Sequence, residues 1–216
     1  MGSATTQALA TTTAELTAAK PGDLTVSREL FAAAREIADS TQLSGALSTW
    51  GAPGSARAQI ATSVFAGYSP AARQLIASAV SQRWSSTADL ISGIEELAIR
   101  AAAIGGATAD VEGELFEVSR VVAGNPELEL ALGGRLGDAS AKGALVEKLF
   151  GARVGEATTL IVSQLVQQPR ERRIRALLSR ALRIVADQRG NRVATVRVAA
   201  AMDAAQQQPA TAATSP

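Results

Sequence analysis

Two stretches decide how this chain folds: Glu29-Leu-Phe-Ala-Ala-Ala-Arg-Glu-Ile-Ala38 and Glu114-Leu-Phe-Glu-Val-Ser-Arg-Val-Val-Ala123. They lie 85 residues apart, and the four phenylalanines of the chain pair at that same offset, Phe31 with Phe116 and Phe65 with Phe150. Working outward in the same register, Leu43 falls on Leu128, Ala46-Leu47 on Ala131-Leu132, and Arg57 on Lys142. Ile60 then meets Leu145, Val64 meets Leu149, and Leu75-Ile76 meets Leu160-Ile161, with no gap along the run. Self-similarity at a fixed period is the mark of a repeated structural unit. The register of all four aromatic rings argues against chance matching of two Ala- and Leu-rich stretches.

Each copy has helical periodicity. Leu30, Ala33, Ala34 and Ile37 recur at 3–4 residue spacing, as do Val111, Leu115, Val118 and Val122. Breaks fall at Ser40-Thr41 and Gly124-Asn125-Pro126, at Gly51 to Gly54 and Gly133 to Gly137, and at Gly67 to Pro70 and Gly151 to Gly155. Ser69 and Asp138 stand where helix N-caps belong. The expected fold is all-α: two tandem duplicated helical bundles over 23–105 and 106–190, hinged at Gly105-Gly106, after a helical or flexible segment 1–22. Phe116 and Phe150 read as core anchors of the second copy. Over 191–216 the pattern changes: Ala194, Val196 and Val198 alternate with Thr195 and Arg197 as one strand would. The Gln-, Ala- and Thr-rich run to Pro216 reads as a disordered tail, as though a second domain ended early.

The composition removes most chemistry. With no His and no Cys there is no Ser-His-Asp triad, no Cys-His dyad, no disulfide and no zinc site, and neither metal nor cofactor is expected. A net charge of +1 exerts no general pull on nucleic acid or acidic membranes. Nothing resembles a signal peptide, and the apolar stretch Leu90 to Ile104 is interrupted by Glu95, Glu96 and Arg100. Glu95-Glu96 and the Asp110, Glu112, Glu114 cluster read as solvated helix faces rather than acid–base pairs. Gly133 to Gly137 lacks the strand and Lys-Ser/Thr of a phosphate loop. No catalytic residue is expected.

The strongest charge feature is Pro169 to Arg197, with nine arginines against Glu171 and Asp187. It admits three readings: a solvated face, a docking face for an acidic protein partner carried by Arg172, Arg175, Arg180 and Arg183, or a phosphate-binding surface. The third lacks interleaved aromatics. The same stretch has a broad apolar arc of Ile174, Leu177, Leu178, Ala181, Ile184 and Val185.

Taken together, Glu114-Leu-Phe116, Asn125-Pro-Glu-Leu-Glu-Leu-Ala-Leu132, Ala141-Lys-Gly-Ala-Leu-Val-Glu-Lys-Leu-Phe150, the helix Arg172 to Gln188 and the strand Arg192 to Ala199 resemble the delta subunits of bacterial F-type ATP synthases. The mitochondrial counterpart is the oligomycin-sensitivity-conferring protein. The preceding copy, with Gln82-Arg-Trp-Ser-Ser-Thr-Ala-Asp-Leu90 and Gly93-Ile-Glu-Glu-Leu97, resembles the extended actinobacterial form. The resemblance implies a non-catalytic stator part, peripheral at the cytoplasmic face of the plasma membrane and held there through partners. Its six-helix bundle is expected to bind an N-terminal helix of the alpha subunit, and its C-terminal domain the b subunits of the peripheral stalk. The family's groove for alpha lies between the first and fifth helices, which carries over to Val118 and Val122 with Leu178 and Leu182. The departure is C-terminal: the family continues with a Gly-rich strand and a final helix, so the expected b-subunit contact rests on a part this chain replaces with its low-complexity tail. The alternatives are a basic nucleic-acid-binding protein or another helical scaffold.

Overall fold

Helix periodicity interrupted at short, capped breaks gives eleven α-helices among the residues that the computed structural model describes, 2–190 apart from positions 50, 107, 135, 136 and 171. They are α1 (Ser3–Ala19), α2 (Thr25–Asp39), α3 (Thr41–Ser48), α4 (Gly54–Val64), α5 (Pro70–Ser81) and α6 (Thr87–Gly105), then α7 (Val111–Gly124), α8 (Pro126–Gly133), α9 (Ala139–Phe150), α10 (Glu156–Gln167) and α11 (Ile174–Gln188). No strand occurs among the described residues, so the class is all-α. The alternating segment 192–199 and the tail lie outside them.

The boundaries are set locally. Ser40, Ser69, Ser86, Asp110 and Asp138 each accept a hydrogen bond from a backbone N–H of the first turn they cap. Pro70 and Pro126 occupy first-turn positions where their missing N–H costs nothing. Shifted by 85 residues, α3 falls on α8 residue for residue, and α4 and α5 fall within one residue of α9 and α10 at their N-termini. The same shift places α1 on 88–104, inside α6, and α6 on 172–190, around α11. Helices α1, α6 and α11 therefore occupy equivalent positions along the chain.

Packing follows the same order. α1 packs on α5 and α6, and α2 on α5 and α6; then α6 packs on α10 and α11, and α7 on α10 and α11. α6 thus closes one six-helix group, α1–α6, and opens the next, α6–α11. A helix embedded on both sides must be apolar all round, and from Leu90 to Ala103 only Ser92 escapes full burial. Trp84 lies across α6 at Gly93, where a Cβ would come within 2.2 Å of the indole. The indole Nε1 donates to the Ala79 carbonyl at 2.7 Å. The buried apolar side chains make one continuous core through all the described helices from α1 to α11.

Three of the four phenylalanines are core residues: Phe31, Phe65 and Phe150. Phe116 is not, being 51% exposed where its counterpart Phe31 is 4%. The cause is a neighbour present on one side only. The α2 face that bears Arg28, Phe31 and Arg35 is turned toward α10, with Arg28 ion-paired to Glu156 and Arg35 hydrogen-bonded to Gln164. Nothing among the described residues covers the matching face of α7 in that way.

Candidate functional site

The described residues hold no group of three or more Asp, Glu, His or Cys side chains able to bind a metal ion. What they do hold is charge buried inside a helical stack. Glu95 and Glu96 on α6, read from sequence as a solvated face, are 5% and 8% exposed. With α6 enclosed on both sides they have no water to face, and a buried carboxylate without a counter-ion costs several kcal/mol. The counter-ions come from the arginine-rich segment. Glu95 accepts from Arg172 at 2.9 Å, from Arg180 at 2.9 Å, and also from Arg170. Glu96 accepts from Arg100 at 2.9 Å and Arg180 at 3.1 Å, and Arg100 reaches Asp187 at 2.7 Å. Arg170 takes a left-handed backbone conformation, φ 46°, to enter this cluster. Burial lowers its guanidinium pKa from the ordinary value, with Glu95 opposing.

The expected basic docking face is therefore dismantled by the fold. Arg172 and Arg180 turn inward to α6, Arg175 pairs with Glu129 of α8 at 2.6 Å, and only Arg183 of the four is left exposed without a partner among the described residues. Outside that set, Arg189 donates to the Ala109 carbonyl and lies 3.6 Å from Asp110. The arginines bolt α11 to α6, α7 and α8, a pairing the sequence does not display because the matching carboxylates lie 46 to 85 residues away.

The expected groove residues are likewise brought together, but as core. Val118, Val122 and Leu178 are buried to 1%, 0% and 1% where α7 meets α11, and Leu182 is half-buried at the edge. They fill a packed seam and leave no groove. The reason is a helix count that slips by one. With α6 as the first helix of the second group, its first and fifth helices are α6 and α10, not α7 and α11.

At the α6/α10 pair α2 lies alongside, held off α10 by long side chains with a cleft of about 400 Å³ between Arg28 and Arg35 of α2 and Glu156, Leu160 and Gln164 of α10. It packs directly on α6 and runs alongside α10, tied to it by Arg28 with Glu156, Arg35 with Gln164, and Gln168 to Asp39 at 3.0 Å. At the equivalent α1/α5 pair no described helix lies across. A cleft of about 610 Å³ opens at the N-terminal end of α1, between Ser3, Ala4, Gln7 and Ala8 and the α5–α6 connection at Gln82, Arg83 and Ser85. α1 itself is packed down through Thr5, Ala8, Thr12 and Leu16, buried on one face. Its Thr12 hydroxyl is satisfied by the Ala8 carbonyl at 2.9 Å, and Thr5 by Ser85 and Asp89 at 3.0 and 3.1 Å.

Residues 96–214 match the ATP synthase delta (OSCP) subunit family. Among relatives, the ATP synthase subunit delta of Leifsonia xyli is 42% identical over 208 residues, 95% of this chain and 79% of that protein. The chain belongs to the ATP synthase delta (OSCP) family. The corresponding subunit of Nocardia farcinica is 34% identical over 200 residues, covering 90% of this chain and 74% of its own length. That of Streptomyces griseus is 39% identical over 138 residues, and the match spans about half of its length, 51%. Membership makes this chain a non-catalytic stator subunit of the F-type ATP synthase, linking the catalytic headpiece to the peripheral stalk. A stator resists torque, and rigid helix packing stapled by buried ion pairs suits that task without any reactive group. No described helix is long and apolar enough to cross a membrane.

Proposed function

We propose that this chain holds the headpiece through the open α1/α5 groove of its first helical group, which takes an amphipathic N-terminal helix of the alpha subunit. The observation that carries this reading is the asymmetry between the two equivalent helix pairs: α2 lies alongside α6/α10, tied to α10 by side chains, whereas no described helix lies across α1/α5 and a cleft opens between α1 and the α5–α6 connection. The two groups arise, on this reading, from an internal duplication of a six-helix unit that shares α6. Location at the membrane is peripheral, through partners in the complex.

The test is a pair of variants in a binding assay with a synthetic alpha N-terminal peptide. Ala4→Arg, which drives a long charged side chain into the α1/α5 cleft, is expected to weaken binding about tenfold or more. Gln164→Ala, which only loosens the clamp of α2 on α10, is expected to leave it unchanged. The reverse ranking would place the contact at α6/α10 and overturn the reading.

A further inference from the structure

The two helical groups differ at a second equivalent place, the end of the group where α2, α3 and α4, or α7, α8 and α9, converge. In the first group this place is plugged from within. Tyr68, after α4, lies on Phe65 with ring centroids 5.2 Å apart and tilted by 49°. Its hydroxyl crosses to α2 and donates to Glu36 at 2.7 Å. In the second group the floor is retained: Phe150 stands for Phe65, Leu128 for Leu43 and Leu149 for Val64. Both parts of the plug are gone, with Arg153 in place of Tyr68 and Val121 in place of Glu36. What remains is an open cleft of about 660 Å³ with Val121, Leu128, Leu149 and Phe150 as its apolar lining and Asn125, Glu127 and Arg153 at its polar edge. Val121 and Leu149 are each 39% exposed, and the Arg153 guanidinium has no partner among the described residues.

The geometry points to a docking site for a helix of another protein that inserts an aromatic side chain onto Phe150 and presents a carboxylate, one turn away, to Arg153. The first group supplies the template for this occupant. A ring on the phenylalanine floor is what the same scaffold accommodates when the ring is its own, and the swap of Glu36 for Val121 removes the carboxylate on the α7 side of the cleft, leaving Glu127 on the α8 side. The swap of Tyr68 for Arg153 reverses the side from which the charge must come. An aromatic anchor in a desolvated pocket beside a charge-assisted hydrogen bond is the usual composition of a binding hot spot. This surface lies on α7, α8 and α9 and does not involve the α1/α5 groove.

The experiment places the photo-crosslinker benzoylphenylalanine at Leu149 of the full chain, assembled in the complete ATP synthase, with a second preparation carrying it at Gln7 in the α1/α5 cleft. The expected result at position 149 is a crosslink to another subunit, mapped to a helical segment with an aromatic residue and an acidic residue within one turn. Closing the cleft with Val121→Glu plus Arg153→Tyr, which rebuilds the internal plug, is expected to reduce that crosslink about tenfold or more. The same change should leave the crosslink at position 7 and the melting temperature undiminished. A crosslink at 149 that survives closure, one that joins two copies of this chain, or none at 149 while position 7 reacts, overturns this inference alone. No crosslink at either position overturns it together with the α1/α5 reading.

Discussion

At the scale of single residues the four phenylalanines separate. Truncating a buried ring removes its transfer energy and leaves a cavity, so Phe65→Ala and Phe150→Ala are each expected to cost about 3–5 kcal/mol. Phe116→Ala should cost less than about 1 kcal/mol because half of its ring already faces solvent. Chemical denaturation of the three variants checks the ranking, and equal losses at Phe116 and Phe150 would contradict it. The sequence register shows that Phe31 and Phe116 are equivalent. It has no means of showing that α10 covers one and no described helix covers the other. Tyr68, the single tyrosine, gives a second residue-scale prediction. Burial first, and the Glu36 carboxylate second, push its hydroxyl well above the ordinary phenol range. A folded-state value above the unfolded one means that the neutral ring stabilises the fold. That contribution is intact below about pH 10 and is lost as pH climbs through the raised value. Absorbance titration of the phenolate should find it ionising late, and Glu36→Gln should return it only partway, since burial is the larger cause.

At the scale of elements, α6 carries the architecture. It is apolar on every side and still holds Glu95, whose carboxylate is met by three arginines from the α10–α11 connection and α11. Removing one member of a buried ionic cluster strands the others, so Glu95→Ala should cost about 3–5 kcal/mol. A variant as stable as the parent would mean the cluster is solvated after all. Gly93→Ala should cost about 1–3 kcal/mol by forcing the Trp84 ring off α6. Helix boundaries were legible in the sequence because caps, prolines and glycine breaks act locally, as at Ser69, Asp138 and Pro126. The place of α1 was not legible. It buries Thr5, Ala8, Thr12 and Leu16, a stripe of small and hydroxylated residues that no apolar pattern would single out. Missing α1 shifted the helix count by one, and the groove residues with it.

At the scale of the molecule, the all-α class and the stator role were both legible, the first from periodicity and the second from a resemblance built on the order and spacing of short motifs. The binding surfaces were not, because they depend on which elements cover which. Arg172, Arg175 and Arg180 read as a free basic face until their carboxylate partners, far along the chain, are brought beside them. The α1/α5 and α6/α10 pairs read alike in sequence, and only the fold shows that α2 lies alongside the second of them. The proposed alpha-subunit site rests on that asymmetry, and calorimetric titration with a peptide of roughly the first 25 residues of the alpha subunit, enough for one amphipathic helix, tests it. The result expected is one peptide per chain at micromolar affinity or better, abolished by Ala4→Arg. Two peptides per chain, no heat of binding, or binding undiminished by Ala4→Arg would contradict it.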